Sequence, residues 1–308
     1  MQLFSLSQAW LNSGRPEAAD TVEQILHKME DLWKAGDESL QPTSRHFNLV
    51  INVMAKSSEH HRARKAYELL QKMQASDKVD PDIITYTTVI ECFSKSSDPQ
   101  AAEIAQELLQ QASDMYEATN DPKIMPNLRT FTMVILALSR NPRPGSVEKA
   151  RDLLSQLLDL YEETQDESLR PNEYPFNYVL NCAANSLGNR EEKIEAFQIA
   201  TRTYQEMRKS DMVQPDSYTY AFWFKCCNNL LPMGDLRTKC VSYAFEQCKL
   251  DGLVSKEVLK RLVLATHPDI LSKLLEVSPK TSPAVFRKMR LDDLPPAWSR
   301  NVRRARKQ

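Results

Sequence analysis

Glycine is scarce in this chain, with six among 308 residues. Neither G-x-G-x-x-G nor G-K-[ST] occurs, which excludes the nucleotide-binding enzymes built on phosphate-cradling glycine loops. Paired cysteines are also missing. Cys92, Cys182, Cys226, Cys227, Cys240 and Cys248 form no C-x-x-C, and no Cys/His grouping has zinc-finger spacing. They read as small buried hydrophobes in a reducing compartment, with Cys240 and Cys248 on one helix face. His60-His61 reads as a solvated loop and not as a metal ligand. No apolar run is long enough for a membrane-spanning helix. Neither a signal peptide nor an import signal is visible, since Arg15 is the sole arginine before Arg45. No nucleophile–base grouping, paired-carboxylate motif or metal-ligand spacing appears. The expectation is therefore no enzyme, no cofactor, no metal and no membrane.

Net charge is also small, at −1, which counts against a nucleic-acid partner. That average hides an asymmetry. From Arg287 to Gln308, eight basic residues face only Asp292 and Asp293, leaving +6 there and −7 over residues 1–286.

What the chain has is helix-forming residues in a repeat. Pro42, Pro81, Pro126, Pro171 and Pro215 recur at spacings of 39, 45, 45 and 44 residues. Each precedes a polar residue suited to open a helix: Thr43, Asp82, Asn127, Asn172 and Asp216. An apolar i, i+3, i+4, i+7 face follows each time. It reads Phe47, Val50, Ile51, Met54; then Tyr86, Val89, Ile90, Phe93; then Phe131, Val134, Ile135, Leu138. The last two are Phe176, Val179, Leu180, Ala183 and Tyr220, Trp223, Phe224, Cys227. A second helix carries Ala66, Leu69, Leu70, Met73 and its counterparts as far as Val241, Ala244, Phe245, Cys248. Before Pro42 the same template places Leu3, Leu6, Ser7 and Trp10 on the first helix and Val22, Ile25, Leu26 and Met29 on the second.

This predicts an all-α, right-handed α-solenoid of stacked antiparallel helix pairs, because one pair cannot bury its apolar face alone. The pairs fall at about 1–43, 44–82, 83–127, 128–172, 173–216 and 217–255. Residues 256–277 form a helical cap, and 278–308, with Pro279, Pro283, Pro295 and Pro296, are expected to be a disordered basic tail.

Thr85-Tyr86-Thr87-Thr88-Val89-Ile90 and Arg45-His46-Phe47-Asn48-Leu49-Val50-Ile51 resemble the T-Y-N-T-L-I opening of a pentatricopeptide repeat. Pro81-Asp82 and Pro215-Asp216 resemble its P-D ending, and Ala66 to Met73 its second helix. The resemblance is to the P-type repeat with lengthened units, the extra residues sitting in the A–B loop and after helix B, as in 114–125 and 159–170. It implies a binder of single-stranded RNA, active in organellar RNA processing, stability or translation, in mitochondrion or plastid. It further implies that the fifth and last residues of a repeat select the base. These are Asn48 with Asp82, Thr87 with Asn127, Thr132 with Asn172, and Asn177 with Asp216. The implied target is U-A-A-U. The second residues, Arg45, Ile84, Arg129, Tyr174 and Tyr218, would pack on bases. Lys56, Lys95 and Arg140, at the ends of the first helices, would meet phosphates. The alternative is a protein–protein interaction scaffold, which the −7 over residues 1–286 favours.

Overall fold

The computed structural model describes residues 9–10, 13, 15, 17–56, 60–278 and 283–302, without the side chains of His60, Pro283 and Arg287. Among these residues there are fourteen α-helices and no strand. The chain divides into two compact units, Met1–Asn141 and Pro142–Gln308.

The first unit holds α1 (Ala18–Lys34), α2 (Ser44–Met54), α3 (His60–Gln74), α4 (Ile83–Lys95), α5 (Ala101–Thr119) and α6 (Leu128–Arg140). Helices α2, α4 and α6 are the first helices of their pairs, here termed A. Each A helix opens right after its proline, and α4 and α6 do so with a side-chain cap. Asp82 accepts from the Thr85 amide at 2.9 Å, and Asn127 from those of Arg129 and Thr130 at 3.0 and 3.2 Å. Such caps satisfy backbone donors that the first turn leaves orphaned. The periodic faces are buried: Val89, Ile90, Phe93, Val134 and Ile135 are inaccessible to solvent. Each such side chain contributes roughly 1.5–3 kcal/mol on burial. Neighbouring B helices are also linked by charge, with α3 reaching α1 through Lys65–Glu23 at 2.6 Å and Lys72–Glu30 at 2.5 Å. His60 and His61, expected in a loop, lie in the first turn of α3 instead. Of the apolar face expected ahead of α1, Trp10 is described and half-buried; Leu3, Leu6 and Ser7 lie outside the described residues.

The second unit holds α7 (Ser146–Thr164), α8 (Glu173–Ala184), α9 (Arg190–Lys209), α10 (Ser217–Leu230), α11 (Asp235–Leu250), α12 (Lys256–Ala265), α13 (Pro268–Leu274) and α14 (Pro283–Lys288). Here α8 and α10 are the A helices, and they pack side by side. Tyr220, Phe224, Phe245 and Cys248 fill the core, and Tyr204 stacks on Trp223 with ring centroids 4.7 Å apart. Helix α12 packs on α10, and Arg237 fastens its end by donating to the carbonyls of Leu264 and Ala265 at 2.9 and 2.8 Å.

The long repeats have a local cause. Helices α5 and α7 run 19 residues each, and each ends on a left-handed residue, Asn120 (φ 50°) and Gln165 (φ 53°). The extra residues therefore extend the B helices before the chain turns back.

The tail departs from expectation. Residues 283–302 are folded: Phe286 and Leu294 are buried, and Trp298 is 9% exposed. The Trp298 ring meets Phe245 edge-on at 5.9 Å, with the Lys249 ammonium 4.7 Å from its centre. The Val254 amide donates to the Trp298 carbonyl at 2.8 Å, and the Asn301 amide to Gly252 at 2.9 Å. Gly252 sits at φ +68°, and a Cβ there would lie 2.6 Å from Arg300 Cγ. The prolines thus shape turns rather than prevent folding, because three large apolar side chains between them find the end of the helical core. Arg303, Arg304, Arg306 and Lys307 lie outside the described residues.

Candidate nucleic-acid interface

On each A helix one face is buried, so the opposite face and the N-terminus are what a ligand could meet. The fifth residue of α2, Asn48, is half-buried and reaches the cap of the next A helix. Its Nδ2 donates to Asp82 Oδ1 at 3.3 Å, and its Oδ1 accepts from the Thr85 hydroxyl at 2.6 Å. The second unit repeats this arrangement. Asn177 Nδ2 donates to Asp216 Oδ1 at 3.0 Å, and the Thr219 hydroxyl donates to Asn177 Oδ1 at 2.7 Å. Two of the four expected pairs are therefore hydrogen-bonded neighbours.

The other two differ. The Thr87 hydroxyl lies 2.8 Å from that of Thr130, while Asn127 is occupied as a cap. Thr132 donates to the Leu128 carbonyl of its own helix at 2.6 Å, and Asn172 caps α8 by accepting from the Tyr174 amide at 3.1 Å. Thr132 and Asn172 belong to different units. Thr87 and Thr132 are also buried, because a short β-branched side chain one turn into an A helix faces its neighbour.

The second residues are exposed, as packing against bases requires. Arg45 and Arg129 are open, and Ile84, Tyr174 and Tyr218 are 59%, 49% and 59% exposed. In the second unit each tyrosine is followed one turn later by another ring. Tyr174 and Tyr178 lie 6.4 Å apart, and Tyr218 and Phe222 lie 6.3 Å apart. Below them Lys225 donates to Asn181 and Asn185 at 2.9 and 2.6 Å. Burial, with Arg261 nearby, lowers the Lys225 ammonium from its ordinary value.

In the first unit the same faces are ionic. Lys95, expected to meet phosphate, instead donates to Glu91 at 2.6 Å and to the Ala55 carbonyl at 3.0 Å. Arg129 donates to the other oxygen of Glu91 at 2.5 Å. Burial alone would raise the Glu91 carboxyl, but the Lys95 and Arg129 cations beside it hold it below the usual carboxylate range. Lys56 and Arg140 are exposed, the latter donating to the Ser94 carbonyl at 3.4 Å. Glu91 is the residue that sequence reasoning overlooked. It lies on the outer phase of α4, and only the packing of α6 on α4 brings Arg129 to it.

Residues 26–157 match the family described as the pentacotripeptide-repeat region of PRORP. Over these residues the chain is similar to a pentatricopeptide-type repeat region. The match begins within α1 and ends within α7. Pentatricopeptide repeats in general bind RNA. No curated protein compared with the chain matches it. No helix among the described residues is long and apolar enough to cross a membrane, and no cluster of three or more metal-ligating side chains is found among them.

Proposed function

We propose that this pentatricopeptide-type chain binds single-stranded RNA base by base, with no catalytic step of its own, in organellar RNA processing, stability or translation. The observation that carries the reading is the same Asn–Asp pair built twice, Asn48–Asp82 and Asn177–Asp216, at the capped start of an A helix. Each pair holds an amide and a carboxylate side by side where exposed second residues, Ile84 and Tyr218, can flank an unpaired base. The chemistry suits uracil at these two repeats. Thr87 with Asn127 and Thr132 with Asn172 support adenine through the family resemblance, so the test sequence is U-A-A-U. The family's organellar setting supports mitochondrion or plastid.

A fluorescence-anisotropy titration at one fixed salt tests this, comparing U-A-A-U RNA with U-G-G-U RNA. The expected outcome is at least tenfold tighter binding of the first, since each mismatch leaves a desolvated polar group unpaired at about 1–3 kcal/mol. Equal binding of both overturns base reading. A second reading has its own support: residues 1–286 carry −7, and Glu91 neutralises Lys95, an expected phosphate contact, and Arg129, an expected base contact. No RNA binding even at low salt removes the RNA reading and leaves the second, a scaffold for a protein partner, to take over.

A further inference from the structure

The third residue of an A helix is absent from the site as the resemblance defines it, yet it touches the base-selecting pair. In α4 this residue is Thr85, in α6 Thr130 and in α10 Thr219, all fully buried. Each hydroxyl meets the fifth residue of the preceding A helix: Thr85 meets Asn48, Thr130 meets Thr87, and Thr219 meets Asn177.

At Thr85 and Thr219 the bonds close a ring. The Asp82 amide donates to Thr85 Oγ1 at 3.2 Å, which commits a lone pair, and the hydroxyl proton has Asn48 Oδ1 at 2.6 Å as its nearest acceptor, ahead of Asp82 Oδ1 at 2.8 Å. Asn48 Nδ2 then donates back to Asp82 Oδ1. The second ring runs from the Asp216 amide to Thr219 at 3.0 Å, on to Asn177 at 2.7 Å, and back to Asp216 at 3.0 Å. Reversal of the amide is opposed from two sides: its oxygen would face a carboxylate that only accepts, and its Nδ2 would lose its acceptor and meet a hydroxyl already accepting from the cap amide. What each ring leaves for a ligand is one Nδ2–H beside the second carboxylate oxygen. That order, donor then acceptor, fits an edge carrying a keto oxygen next to an N–H. Uracil presents O4 and N3–H in that order, whereas cytosine presents an amino group and a bare N3, the reverse. The hydroxyls of Thr87 and Thr130 impose no such polarity, since either can donate. In α8 the third residue is Pro175, which has no hydroxyl at all.

We infer that Thr85 and Thr219 are positioning residues that fix the amide polarity of Asn48 and Asn177 and thereby let these repeats tell uracil from cytosine. The inference rests on the RNA-binding reading and deepens it. Valine at these positions keeps the shape and removes the hydroxyl, leaving the amide oxygen unpaired in a buried site and its orientation opposed by the single Nδ2–carboxylate bond alone. Serine restores the hydroxyl.

The experiment compares the wild-type chain, T85V/T219V and T85S/T219S, each titrated with U-A-A-U and with C-A-A-C RNA. The readout is the U-to-C affinity ratio within one protein, from which any misfolded fraction cancels. The wild type and the serine variant are expected to favour uracil by about tenfold per site. The valine variant is expected to lose most of that preference while still binding C-A-A-C. An unchanged ratio in the valine variant, or a serine variant that loses the ratio equally, overturns the positioning role and leaves RNA binding standing. A wild type that binds RNA without distinguishing uracil from cytosine overturns base reading, and this inference with it.

Discussion

The outer faces of the A helices are built from different chemistry in the two units. In Met1–Asn141 they carry Arg45, Arg129, Lys95 and Arg140, with Glu91 compensating two of these cations. In Pro142–Gln308 they carry Tyr174, Tyr178, Tyr218 and Phe222 above an amide-ligated Lys225. Charge attracts phosphate at a distance and is screened by salt, whereas a ring on a base acts at contact and is nearly indifferent to salt. One helical template therefore carries two kinds of outer face, because the buried i, i+3, i+4, i+7 face fixes the fold and leaves the opposite face unconstrained.

The largest expected effect tests whether the second unit depends on its aromatics for folding as well. Trp298→Ala removes the ring lying against Phe245 and should cost about 3–5 kcal/mol, read as a lower denaturation midpoint. An unchanged midpoint would return the tail to a solvated segment. Trp223→Asp and Leu154→Asp place a charge in fully packed positions and should also destabilise strongly, by several kcal/mol.

Next comes the ligand. Tyr174→Ala with Tyr218→Ala should weaken RNA binding by about 1–3 kcal/mol per ring, with the slope of log affinity against log salt unchanged. A flatter slope would mean that these rings support the electrostatics instead, and the contrast between units would fail.

Glu91→Gln should act in the opposite direction. Releasing Lys95 and Arg129 should raise affinity a few-fold and steepen the salt slope by about one to two contacts. The Glu91 carboxyl is held low in the folded state, so its contribution to stability is present above the ordinary carboxylate pKa and disappears as pH falls through the lowered value. The stability difference between Glu91→Gln and wild type should therefore shrink in acid and be constant near neutrality. A thermal-melt series across pH 3 to 7 checks this.

The smallest effect concerns thiols. Burial pushes Cys92, Cys182 and Cys226 up to about 12, whereas half-exposed Cys240 is raised less. A thiol reagent at neutral pH should label Cys240 first. Simultaneous labelling of all six would show that both units open readily.

The helices were legible in the sequence because two local signals coincide at each repeat. Pro81-Asp82 and Pro215-Asp216 mark a stop and a cap, and the face starting at Tyr86 or Tyr220 gives the helical period. The tail was not legible, since Phe286, Leu294 and Trp298 share no period and lie among prolines; only the fit of Trp298 against α11 and the packing of α14 on α12 show that it folds. Asn48 and Asn177 could be named from the repeat, but not their bonds to Thr85 and Thr219, which link residues 37 and 42 apart. Glu91 was invisible for the same reason, its partner Arg129 lying 38 residues on.

The clasp at Gly252 has a mechanical consequence. Because Asn301 and Trp298 bond back to Gly252 and Val254, the segment between them is a closed loop held by its neck. A force applied beyond residue 302 is borne at that neck by α11 and does not peel α12 and α13 away turn by turn. The neck must yield first, so a pull on this end should meet one abrupt rupture followed by the loop's slack, instead of a gradual unzipping.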